Sequence, residues 1–112
     1  MSARFVQDGI SIDYTSGSAV TAGDVVVQGD LIGIAKSDIA ANGLGALAIE
    51  GVFDFPKATG TSTGIAAGAV CYWDVADQQA KTDSETGANK KLGKCIRAAA
   101  DADTTVRIKL DQ

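Results

Sequence analysis

Histidine is absent from this 112-residue chain, which removes the side chain that most often serves as a general base at neutral pH and as a metal ligand. Cysteine occurs only at Cys71 and Cys95, with no Cys-x-x-Cys spacing, so no metal site is expected. In a reducing cytosol the pair reads as two buried thiols rather than a disulfide. No apolar run approaches the ~20 residues of a membrane span. Met1-Ser2-Ala3-Arg4 leads into an amphipathic strand rather than a signal-type apolar segment. The expectation is a soluble protein with no membrane partner, kept in the compartment that made it. Basic residues are the minority charge, ten against fourteen acidic ones for a net −4. They are scattered, so the positive footprint of a nucleic-acid binder is missing.

What remains suffices for one fold. Leu, Ile, Val and Phe supply 26 residues, enough to leave the disordered range. The apolar content leans on small side chains, 19 Ala and 13 Gly against one Pro and six aromatics. A core built this way is thin and gains stability by association.

Period-two alternation is the dominant signal. Ile10, Ile12 and Tyr14 alternate with Ser11 and Asp13, predicting a strand with three apolar side chains inward. Val25-Val26-Val27 and Leu31-Ile32-Gly33-Ile34 flank Gln28-Gly29-Asp30, where Gly29 permits the positive φ of a tight hairpin. Ala40-Ala41-Asn42-Gly43 predicts a turn. From Leu47 to Phe55 one long strand is predicted, with Leu47, Ile49, Phe53 and Phe55 on one face, a bend at Gly51 and an end at Pro56. Residues 57–68 and 82–90 read as polar loops, the first flexible. Residues 70–73 and 92–98 read as strands, and Ala98–Ala102 as a turn. Thr104, Val106, Ile108 and Leu110 against Thr105, Arg107 and Lys109 give the clearest half-buried strand. Ala22-Gly23-Asp24-Val25-Val26-Val27 is echoed by Ala67-Gly68-Ala69-Val70-Cys71-Tyr72, suggesting a pseudo-repeated half. The predicted fold is all-β: a small closed or nearly closed antiparallel β-barrel of short strands with long polar loops, spanning residues 9–112. Residues 1–8 form an N-terminal arm.

The search for chemistry returns little. Asp8, Asp13, Asp24, Asp30, Asp101 and Asp103 sit at turns or strand ends, where Asp bonds local backbone. Gly87 to Cys95 misses a Walker A loop: five residues separate its glycines and Cys95 follows the lysine in place of Ser or Thr. No catalytic residue, cofactor or small-molecule substrate is expected. Lys90, Lys91, Lys94 and Arg97 form a basic cluster, read as a solvated strand face, with contact to phosphate or to an acidic partner surface as the alternative. Tyr72 and Trp73 read as core anchors, with Trp73 also a candidate at a subunit contact. Ala3, Arg4, Phe5 and Val6, in an arm too poor in apolar residues to bury itself, are candidates for pairing with a neighbouring chain's sheet edge, a frayed terminus being the alternative.

Four segments carry a resemblance: Ala3 to Gly9 with Ile12-Asp13-Tyr14, then Ala22 to Val26, Gly45 to Phe53, and Gly68 to Asp74. With the closing Thr105-Val106-Arg107-Ile108, their order and spacing resemble the phage capsid cement, or head decoration, family. The likeness runs over nearly the whole chain. Members have also been labelled predicted phage recombinases, a label this sequence does not support, since it lacks the ATP loop, the size and the basic face. The resemblance implies a β-rich homotrimer on the capsid exterior of a tailed phage or prophage, bridging major capsid proteins, made in the bacterial cytoplasm and without catalytic residues. Two other readings are a nucleic-acid accessory protein and an adhesion module presenting residues 57–68 and 82–90 to host surfaces.

Overall fold

The computed structural model describes Ala3 and residues 10–112. These form nine strands and no helix: β1 Ser11–Thr15, β2 Val25–Gln28, β3 Leu31–Ala35, β4 Leu44–Ala48, β5 Gly51–Pro56, β6 Val70–Asp74, β7 Gln79–Lys81, β8 Lys90–Arg97 and β9 Thr105–Leu110. They make two antiparallel sheets, ordered β1-β4-β3-β2 and β5-β9-β8-β6-β7.

The all-β expectation holds, but neither sheet closes. The ends of the second sheet meet at a single bridge, Lys57 with Ala80. The edge strand there, β7, is three residues long and cannot carry the staggered ladder that closure requires.

The β2–β3 hairpin is as predicted, with Gln28 opposite Leu31 and Gly29 at φ 62°. The turn at Ala40–Gly43 also forms, closed by Gly43 N–H donating to the Ala40 carbonyl. The single strand expected from Leu47 to Phe55 is instead two strands in different sheets. The chain leaves the first sheet after Ala48 and enters the second at Gly51, whose φ of 124° is open to glycine far more readily than to other residues. Alternation persists across the switch, because Phe55 is buried and Val52 and Asp54 face outward, and that continuity disguised the break. At the start of the chain the expectation of three inward side chains is corrected. Ile12 and Tyr14 are half-buried, whereas Ile10 precedes β1 and is 59% exposed.

The two sheets share one topology. In each, three successive strands form a meander and the strand preceding them in sequence lies beside the last, giving β1-β4-β3-β2 and β5-β9-β8-β6, with β7 added at the edge of the second. This is a Greek-key order. The local bonding repeats as well. Val20 exchanges backbone hydrogen bonds with Ile39, and Ile65 with Ala99. Gly23 N–H donates to Ala35 O and Gly68 N–H to Cys95 O, while Ala35 N–H donates to Asp24 O and Cys95 N–H to Ala69 O. The sequence echo thus marks the same turn opening β2 and β6.

One buried cluster joins the sheets, with Ile32, Ile34 and Ala48 from the first and Phe55, Cys71, Trp73, Leu92, Cys95, Val106, Ile108 and Leu110 from the second. Phe55 is its hub, with Phe53 at 6.3 Å and Trp73 at 6.0 Å between ring centroids. The Gln112 amide closes the assembly by bonding both N–H and C=O of Ile32, acting as a substitute strand beyond the end of β4.

Residues 57–68, expected as a flexible loop, are tied down. Ile65 bridges Ala99, the Asp101 carboxylate accepts from Gly64 N–H at 2.7 Å, and the Thr63 hydroxyl donates to Gly60 O. Lys57 is 4% exposed, and its ammonium donates to the carbonyls of Ala58 and Asp103. Such internal partners are what allow a polar group to be buried.

Candidate functional site

The residues singled out for partner binding are placed as follows. Ala3 is exposed, while Arg4, Phe5 and Val6 lie outside the described residues. Trp73 is 2% exposed and packs against Phe55 in the core, so its ring meets no surface in the single chain.

Of the carboxylates expected to bond local backbone, Asp24 accepts from Thr21 N–H and Asp103 from Ala100 N–H. Asp101 instead accepts from Gly64 N–H, distant in sequence, Asp30 pairs with Lys90 and Asp13 lies within β1, while Asp8 lies outside the described residues. The Gly87–Cys95 segment enters β8 rather than a helix, so it builds no phosphate cradle. Among the described residues no cluster of three His, Cys, Asp or Glu side chains could hold a metal ion. Asp74 is bonded by Lys81 at 2.8 Å and by Asp77 N–H, and those bonds, the Lys81 one foremost, hold its carboxyl below the usual range.

The basic cluster divides. Lys90 turns toward the first sheet and pairs with Asp30 at 2.8 Å. Lys91, Lys94 and Arg97 are exposed on β8, where strand register gives them company that sequence distance conceals. Val52, Lys109, Lys94 and Val70 lie side by side across β5, β9, β8 and β6. The next row holds Asp54, Arg107 and Arg97. Residues directly opposite in antiparallel strands share a face, and this face points away from the core. A bulge between Cys95 and Arg97 puts Ile96 outside, 49% exposed, and Val52 on β5 is 51% exposed. Arg107 pairs with Asp54 through Nε at 2.9 Å, and that hydrogen bond is the main reason the Asp54 carboxyl sits below its usual range. No ion pair engages Lys91, Lys94, Arg97 or Lys109 among the described residues.

Across β5, β9 and β8 the face therefore carries five cations and one carboxylate, a net +4 on a chain whose total is −4, and the Lys81–Asp74 pair on β7 and β6 adds nothing to that net. A cleft of about 310 Å³ at one end is lined by Asp54, Arg97, Asp103, Thr105 and Arg107. Sequence reading found Lys91, Lys94 and Arg97 but not their union with Arg107 and Lys109. The alternation of β9 marked those two as outward, and only the β8–β9 pairing makes one surface of them.

A family model described as phage cement protein matches residues 6–110, nearly the whole chain. The chain belongs to the phage cement protein family. Comparison with curated proteins and with solved structures gives no match. Membership supports a structural, phage capsid-associated role, in keeping with the resemblance read from the sequence.

The cysteines of this cement-family chain are free and buried. Cys95 donates to the Arg97 carbonyl at 2.8 Å. Burial, with a smaller contribution from neighbouring Cys95, pushes the Cys71 thiol up to about 11. Near pH 8 only about one Cys71 in a thousand would then be thiolate, the reactive form. An aromatic disulfide reagent should accordingly leave both thiols of the native protein unmodified over minutes and titrate two per chain in concentrated urea. Rapid stoichiometric labelling of native protein would contradict the buried placement.

Proposed function

We propose that this protein is a capsid decoration subunit that binds the outside of a tailed-phage head and stabilises contacts between major capsid proteins. It is made in the bacterial cytoplasm and acts as a homotrimer without catalytic residues. Family membership over residues 6–110 is the observation that carries this reading. A small two-sheet body with a continuous core suits the role, because such a subunit has to transmit force between neighbours rather than open or turn over.

A head filled with DNA fails where capsomers separate, and a subunit lying across the joints adds contacts that must break first. Many modest interfaces then act together through multivalency. Closed symmetry lets one oligomer grip several neighbours. In this reading the arm from Ala3 through Val6 adds a strand to an adjacent chain, and Trp73 supports the contact surface from beneath, as a core residue.

The test uses heads assembled with and without this protein, heated in parallel while DNA release is followed by a dye. Decorated heads should release DNA several degrees later, and the difference should return when purified protein is added back. Equal release temperatures would remove the stabilising role.

A further inference from the structure

We propose that the outward face of the second sheet, built on Lys94, Lys109, Arg107, Arg97 and Lys91, is the surface that seats on the shell, and that it meets an acidic protein surface there. The inference rests on the decoration reading and assigns its contact face. Three observations carry it.

The first is charge segregation. With +4 on this face and −4 in total, the rest of the chain carries −8. An acidic partner is attracted by one side of the molecule and repelled by the others, so electrostatics alone selects the orientation of approach.

The second is the make-up of the face. Four of its five cations form no close ion pair, although Asp54 also attracts Arg97, and Val52, Val70 and Ile96 lie among them. Free cations around β-branched side chains on a flat sheet provide long-range attraction and, at contact, apolar area to remove from water. The cleft beside Arg97 is lined by Arg107 and also by Asp54 and Asp103, so of its charged groups it is the Arg97 fork, unlike Arg107 not already paired with Asp54, that is left to meet a partner carboxylate.

The third observation separates this partner from a second copy of the chain. The acidic groups of residues 10–50 are largely committed within the molecule: Asp24 to Thr21 N–H, Asp38 to Ala22 N–H, and Asp30 to Lys90. Asp24 and Asp38 both turn to the backbone of Thr21 and Ala22, and Asp30 stands apart from them in the β2–β3 turn, paired with a lysine of its own chain.

The test measures co-sedimentation of purified protein with undecorated heads across a salt series. The wild type should bind at low salt and weaken steadily as salt rises. Lys94→Glu/Lys109→Glu should bind at least about tenfold more weakly at low salt, since rim charges of this kind govern association rate and salt dependence. Lys94→Gln/Lys109→Gln, a milder pair at the same exposed sites, should lie between. Asp13→Lys/Glu50→Lys, which changes charge elsewhere by the same amount in the opposite sense, should bind no less well than wild type. Thermal melting of each variant establishes that it is folded.

If the wild type binds heads and both Lys94/Lys109 pairs bind equally well, the assigned face is wrong while the decoration reading stands. A wild type that never binds heads defeats the reading and the inference together. Binding of a DNA fragment at physiological salt that the charge reversal abolishes would give the face to nucleic acid and overturn the proposal. So would a loss of self-association in the reversed variant with head binding per subunit unchanged.

Discussion

Gly93→Ala should cost more than about 4 kcal/mol of folding stability, a large share of the roughly 5–15 kcal/mol that holds a native domain folded. Gly93 lies in β8 between β6 and β9, opposite both Cys71 and Leu110, with φ at 155°. A Cβ placed there would lie 1.9 Å from the Lys109 carbonyl oxygen and 2.8 Å from the Asp111 nitrogen. Both are backbone atoms held in the ladder, so neither can swing aside as a side chain would. Relief requires β8 and β9 to separate, which breaks their pairing and exposes Leu92, Ile108 and Leu110, all 1% exposed or less. Gly29→Ala provides the comparison. Gly29 also has positive φ, but nothing lies within 4 Å of its added Cβ, so the cost should stay near about 1 kcal/mol. Urea unfolding followed by far-ultraviolet circular dichroism measures both. A Gly93→Ala protein as stable as wild type would mean that β8 and β9 do not approach as described.

Sequence carried the strands further than it carried their arrangement. β9 was legible almost residue by residue, because Val106, Ile108 and Leu110 are buried and Thr105, Arg107 and Lys109 exposed, the period-two signature of a sheet with one wet face. The β2–β3 hairpin was legible because Gly29 gave its turn a local cause. The switch at Gly51 was not, since alternation is the same whether a strand bends or changes sheet. β7 was missed altogether. Its three residues, Gln79-Ala80-Lys81, are too few to show a period, and β6 and the Lys57 bridge hold them in place. For the same reason the basic face could not be seen in advance. Lys94 and Lys109 are 15 positions apart in sequence and adjacent only through register.

Duplication of the Greek-key order gives the chain two outward faces that have diverged. On the first sheet Leu47 packs against Gly33 and Ile39 against Gly45, closely enough that a Cβ at either glycine would meet them below 3 Å. That side is covered by its own chain, with Ile39 and Leu47 3% and 1% exposed. On the second sheet the corresponding side is left open and charged. One architecture thus supplies both a self-sealed face and a presented one, an economical way for about a hundred residues to combine stability with adhesion.

Phe55→Ala is expected to cost about 3–5 kcal/mol, the range for removing a buried aromatic ring from a packed core. Phe55 is 1% exposed. It lies opposite Val106 in the β5–β9 pairing and contacts both Phe53 and Trp73. Its neighbours Ile108, Val106 and Trp73 are held in the strand ladders of the same sheet, so they can fill little of the space, which argues for the upper part of the range. Val52→Ala, three positions earlier on the outward side of the same strand, should change stability by less than about 0.5 kcal/mol, because Val52 is half in water already. The single tryptophan makes the measurement direct: Trp73 abuts the ring removed, so its fluorescence in a urea titration reports unfolding from the core itself. Comparable midpoints for the two variants would mean that Phe55 does not hold the sheets together. The expected contrast also bears on the docking face. Phe55→Ala leaves every cation of that face in place, so any fraction still folded should bind heads as wild type does, whereas Lys94→Glu/Lys109→Glu should fold normally and bind poorly. Opposite failures in two variants of one sheet would separate what holds the protein together from what it holds on to.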